Sequence, residues 1–103
     1  MKLTSTMLDG LISFSCKDKL KSPQELFAIK RSILKLTNQY PEIKKLHFLL
    51  EAFPLDLSFL GLLLTLSNAY LYEVQITVTH YSNYRMLESL YLTQKFHVQY
   101  RKI

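Results

Sequence analysis

Apolar and polar positions alternate almost from the start of the chain. Thr4-Ser5-Thr6-Met7-Leu8 and Leu11-Ile12-Ser13-Phe14-Ser15-Cys16 flank the pair Asp9-Gly10. A two-residue Asp-Gly loop suits a type I′ turn, whose two central residues both need positive φ. In the second arm Ile12, Phe14 and Cys16 alternate with Leu11, Ser13 and Ser15, the pattern of a half-buried strand. The period then changes. Ser22-Pro23-Gln24-Glu25 is a capping box, with Ser at the N-cap, Pro at the first helical position and Glu at N3. Leu26, Ile29, Ile33, Leu36 and Tyr40 recur at steps of three and four, on one face of a helix. Pro41 disfavours helical backbone at Tyr40. Together these signals predict a helix over 23–39.

The run Leu46-His47-Phe48-Leu49-Leu50 is short and continuous, as for a central strand buried on both faces of a parallel sheet. A second helix is expected over 57–70, capped by Asp56 or Ser58. Leu57, Phe59, Leu60, Leu62, Leu63, Leu64 and Leu66 surround most of it, more apolar surface than one stripe against a sheet needs. Val74, Ile76 and Val78 alternate with Gln75, Thr77 and Thr79, a β-branched strand pattern. Ser82 is expected to cap a third helix carrying Met86, Leu87, Leu90 and Tyr91. Phe96, Val98 and Tyr100 alternate with His97, Gln99 and Arg101 in a last strand. The predicted order is β-β-α-β-α-β-α-β. It reads as an α/β fold with a mixed, mainly parallel sheet and helices packed on it. With 103 residues, no internal repeat and no linker, residues 1–103 form one domain.

Composition narrows the class. A hydrophobic share of 49% excludes intrinsic disorder. A single cysteine, Cys16, excludes a disulfide framework and a cysteine-rich zinc site. The start Met1-Lys2-Leu3-Thr4-Ser5-Thr6 lacks the apolar core and cleavage site of a signal peptide. The apolar stretch from Phe53 to Leu66 is shorter than the roughly 20 residues a membrane span needs. A cytoplasmic protein with no integral membrane segment is the expectation. The net charge of +5 permits binding to nucleic acid, but no block of five like charges is present. Lys17, Lys19, Lys21, Lys30, Arg31 and Lys35 would have to form one patch for that reading.

Candidate chemistry is sparse. Gly10 and Gly61 are the only glycines, so no phosphate-binding glycine loop can be built. His47, His80 and His97 lie on or beside three predicted strands and would make a metal site only by converging; none is expected, and no cofactor. Cys16 falls in step with Ile12 and Phe14, which points it into the core. Glu51 and Asp56 flank one strand-to-helix connection, at the edge where α/β sites tend to lie. An enzyme reading would need Asp56, Ser58 and a histidine to meet there. Tyr70, Tyr72, Tyr81 and Tyr84 cluster around the fourth strand, as rim packing or, more weakly, as base-stacking platforms.

Asp56-Leu57-Ser58-Phe59-Leu60-Gly61-Leu62-Leu63 follows a buried strand and leads into a Leu-rich helix. Met86-Leu87-Glu88-Ser89-Leu90-Tyr91-Leu92-Thr93-Gln94-Lys95-Phe96 lies in the chain's last third. These segments resemble the STAS family, the sulfate transporter and anti-sigma factor antagonist domains. Its strand runs into Asp-Ser-Ser-Gly-Leu-Gly, and it often closes with Leu-Leu-Glu-x-x-Gly-Leu-x-x-x-Phe. Asp56, Ser58, Leu60 and Gly61 match the first motif, and Leu87, Glu88, Leu92 and Phe96 match the second. The motif-level likeness runs from Leu46 to Val98. It implies a binding module rather than an enzyme, regulated in the family by phosphorylation of the first motif Ser.

That position is Leu57 here, so the usual phospho-switch is not expected; Ser58 is the remaining hydroxyl and the candidate phosphosite. Leu57 and Phe59 replace small residues of the family's contact surface. The expectation is a constitutive apolar docking surface of Asp56, Leu57, Ser58, Phe59 and Leu60. The implied partners are an anti-sigma factor or switch kinase, or the ATPase of a lipid-transport ABC complex for which this chain is an accessory subunit. A homodimer burying the second helix is a further expectation. A basic nucleic-acid-binding α/β domain is the rival reading.

Overall fold

A computed structural model describes residues 1–102. The elements are β1 (Leu3–Leu8), β2 (Leu11–Cys16), α1 (Pro23–Gln39), β3 (Lys45–Leu50), α2 (Leu57–Asn68), β4 (Glu73–Val78), α3 (Tyr81–Ser89) and β5 (Val98–Tyr100). The fold is α/β, a five-stranded sheet with three helices. The sheet is mixed and ordered β1-β2-β3-β4-β5. β1 pairs antiparallel with β2, and the neighbouring pairs from β2 to β5 are parallel. Each new strand lies beside the last, so right-handed crossovers carry all three helices over the same face.

Local chemistry explains the first elements. Asp9 and Gly10 both take positive φ, 50° and 77°, which the tight hairpin turn demands. Ser22 accepts a hydrogen bond from the Glu25 backbone N–H at 3.2 Å, while Glu25 Oε1 accepts one from Lys21 N–H at 2.8 Å. One free amide of the first turn of α1 and the Lys21 amide just before the cap thereby find partners, a variant of the capping box in which Glu25 reaches one residue past the N-cap.

The core lies between sheet and helices. Ile12, Phe14 and Cys16 of β2, Leu46, Phe48 and Leu50 of β3, and Val74, Ile76 and Val78 of β4 are buried on the helix side. Ile29 and Ile33 of α1 and Phe59, Leu63 and Leu66 of α2 meet them. Phe14 and Phe48 stack at 5.0 Å between ring centroids, and Phe59 meets Phe48 edge-on at 6.1 Å.

Several expectations are corrected. β3 is not covered on both faces: with every helix on one side, His47 and Leu49 are only half-buried on the other. The second helix ends at Asn68 rather than 70, with Leu71 left-handed at φ 62°. Ser82 does not cap α3; its N-cap is His80, which makes no side-chain capping bond. The helix stops at Ser89, so Leu90 and Tyr91 lie beyond it, and Tyr91 takes a left-handed φ of 58°. β5 begins at Val98 because His97, at φ 49°, breaks the extended run. Phe96 precedes that break in a turn, yet is fully buried.

A candidate docking rim at the carboxyl ends of the strands

β2, β3 and β4 all run toward one edge of the sheet, and the helices that follow begin there. The connection from β3 to α2 is built around two polar side chains. Asp56, not Ser58, caps α2: its Oδ1 accepts hydrogen bonds from the Ser58 and Phe59 backbone N–H groups at 2.8 and 3.1 Å. Asn83, in the first turn of α3, reaches back across 28 residues. Its Oδ1 accepts from Leu55 N–H at 3.2 Å, and its Nδ2 donates to the Ala52 carbonyl at 2.9 Å. Asn83 itself is 1% exposed, and both bonds are part-buried, because the loop they hold lies at the surface.

This clamp fixes the loop that carries Phe53, 47% exposed, and leads into Leu57, 68% exposed. Ser58 is exposed beside Leu57, and Asp56 is half-buried. Phe59 and Leu60 lie elsewhere, at 2% and 3% exposure. The helix phase explains the split. Phe59, Leu63 and Leu66 form the stripe over the sheet, which leaves Leu57 and Ser58 turned outward at the first turn. The expected five-residue surface is therefore Asp56, Leu57 and Ser58 at the surface, with Phe59 and Leu60 in the core beneath.

Charge and shape complete the rim. An apolar recess of about 150 Å³ is lined by Cys16, Leu20, Leu50, Pro54, Leu55 and Phe59, with Lys19 and Asp56 on its wall. A second, of about 250 Å³, brings Lys21 and Leu26 together with Asp56 and Ser58. The β2–α1 connection thus supplies lysines to the neighbourhood of the α2 start. Cys16 at the first recess is 1% exposed, and its thiol is pushed up to about 12, chiefly by burial. It is no thiolate nucleophile at neutral pH.

The histidines do not converge. His80 packs on Phe53, ring centroids 5.5 Å apart, at the rim itself. His97 Nε2 lies 3.9 Å from Glu73 at the opposite end of β4. His47 sits mid-strand on the uncovered sheet face, its Nδ1 2.9 Å from Ser13 Oγ and its Nε2 2.8 Å from Thr77 Oγ1. Burial, reinforced by the Arg101 charge, holds the His47 pKa below its ordinary value. Among the described residues no three His, Cys, Asp or Glu side chains are grouped to hold a metal ion. The tyrosines also divide. Tyr81 stacks near Tyr84 at 6.3 Å and meets Tyr100 edge-on at 5.4 Å, whereas Tyr72, under the Lys44 ammonium at 5.8 Å, precedes β4.

Asn83 and Phe53 carry the rim, and neither stands out in the sequence. Asn83 resembles any polar residue of a helix's first turn. Comparison with known proteins returns no matching family model, no matching curated protein and no matching solved structure. No described helix is long and apolar enough to cross a membrane.

Proposed function

We propose that the protein is a non-enzymatic, STAS-like interaction module of the cytoplasm that regulates a partner protein by docking through the start of α2, the helix after the third strand. The observation that carries this reading is the 68% exposure of Leu57, a leucine held outward at a capped helix start that follows the loop carrying exposed Phe53. Large apolar groups presented on a rigid backbone are typical anchors of protein interfaces. The motif likeness through Asp56, Ser58, Leu60, Gly61, Leu87, Glu88, Leu92 and Phe96 supports the family reading. So do the leading hairpin and the layer of helices on one sheet face.

The rim suits a partner of matching chemistry. Leu57 and Phe53 call for an apolar socket, and Lys19 and Lys21 for acidic residues around it. An anti-sigma factor or switch kinase is the first partner class, and the ATPase of a lipid-transport ABC complex the second. Docking is constitutive. Leu57 has no hydroxyl, and the Ser58 and Phe59 amides that would receive a phosphate at Ser58 are already taken by Asp56. A phosphoryl group there would also meet the Asp56 carboxylate.

Site-specific photo-crosslinking tests the surface. A photoreactive residue at position 57 or 53 is expected to capture the same protein from native extract. One at Phe27, exposed on the outer side of α1, is expected not to. Capture at position 27 but at neither rim position would reject the reading.

A further inference from the structure

β1 forms one edge of the sheet, and among the described residues no strand pairs with its outer side. Its hydrogen-bonding phase is fixed by two observations. The two-residue turn closes on the Leu8–Leu11 pair, and Lys17 N–H donates to the Lys2 carbonyl at 3.3 Å. Antiparallel ladders alternate residue by residue. Thr4, Thr6 and Leu8 therefore direct their amide and carbonyl groups to β2, while Leu3, Ser5 and Met7 direct theirs to open solvent. The strand Leu-Thr-Ser-Thr-Met-Leu has no charge and no proline, and its register with β2 is unbroken. The devices that normally protect an edge are missing. The other edge, β5, has three residues and is followed by Arg101 and Lys102.

We propose that β1 pairs antiparallel with β1 of a second copy of this chain, about a twofold axis at Ser5, joining the two sheets into one. Three features select a second copy. First, a twofold axis perpendicular to the sheet keeps both helix layers on one face, so facing residues must share a face. The free groups belong to Leu3, Ser5 and Met7, all on the helix face. Ser5 opposite the partner's Ser5 and Leu3 opposite the partner's Met7 use every one of them, with both halves of the ladder alike. Second, that register places the partner's Met7 at a recess of about 410 Å³ between β1 and α1, walled by Leu3, Ser5, Ala28, Ser32 and Leu36. Met7 is 45% exposed in the single chain and has the flexible apolar side chain such a recess takes. Third, Lys2 stands opposite the partner's Leu8, next to the partner's Asp9, so opposite charges meet at both ends.

Sedimentation equilibrium across a concentration series is expected to show mass rising toward twice the 12.1 kDa of one chain. Ser5→Pro removes an amide that the single chain does not use, a place where edge strands accept proline. It should raise the dimer dissociation constant at least ~10-fold, with the circular dichroism spectrum unchanged. Ser5→Cys should oxidise to a disulfide-linked dimer, since Cα atoms of such a pair lie ~5.5 Å apart. Asp9→Cys should not, because the two copies of that position lie ~27 Å apart along the ladder. A constant mass of one chain throughout the series overturns the proposal. So does a dimer in which Ser5→Cys forms no more cross-link than Asp9→Cys, whatever Ser5→Pro does.

Discussion

Replacing Asn83 by alanine tests how the rim is held. The side chain makes two hydrogen bonds, to Leu55 N–H at 3.2 Å and to the Ala52 carbonyl at 2.9 Å, and it is 1% exposed. Each bond contributes about 0.5–1.5 kcal/mol net, and a backbone group left buried without a partner costs about 1–3 kcal/mol. Partial access of water to the loop lowers the sum, so the expected loss is about 2–4 kcal/mol. For a domain of this size that lowers the melting midpoint by roughly 10–20 °C. Urea denaturation gives the free energy, and hydrogen exchange gives its location: the Leu55 amide should lose protection before the amides of β3. Asn83→Asp keeps an acceptor for Leu55 N–H but turns a carboxylate oxygen on the Ala52 carbonyl. Near neutral pH it should be at least as damaging as alanine. A loss under about 1 kcal/mol, with Leu55 exchange unchanged, would refute the clamp.

Other consequences follow from the same geometry. Asp56→Ala leaves the Ser58 and Phe59 amides without their cap and should cost about 1 kcal/mol in thermal unfolding, whereas Ser58→Ala should cost little. Cys16, buried with its thiol pushed up to about 12, should not react with an aromatic disulfide reagent until the chain unfolds; rapid labelling of the native protein would contradict that placement. His47 binds its proton less readily in the folded chain than at its ordinary pKa of 6.5. The unfolded chain therefore takes up more protons as the pH drops through 6.5, and the stability contributed at higher pH is lost down to the folded pKa. A stability profile over pH 7 to 5 should be flatter in His47→Gln than in the parent.

Much of the fold was legible because local chemistry decided it. Asp9-Gly10 admits the positive φ of a hairpin turn, and Ser22-Pro23-Glu25 starts a helix, wherever they stand. The ends of α2 and α3 were less legible because Leu71 and Tyr91 take left-handed backbone without the glycine that usually marks such a stop. For the site, the Leu-rich pattern correctly marked an unusual helix but gave no phase. Phe59 and Leu60 differ from Leu57 in what they face, and only the packing of α2 on the sheet decides that. A charged residue at Phe59 would therefore unfold the core rather than test the surface. Asn83 and the Ser13–His47–Thr77 bonds depend on contacts across 28 to 34 residues, which no local pattern encodes.

The most direct test of the docking account is the affinity of the partner captured at position 57, measured by titration calorimetry against the parent and Leu57→Asp. Leu57 is exposed, so the variant should keep its fold, its melting midpoint and its circular dichroism spectrum. The account predicts that its affinity drops by at least ~30-fold, about 2 kcal/mol. Equal affinities for the two folded proteins would contradict it.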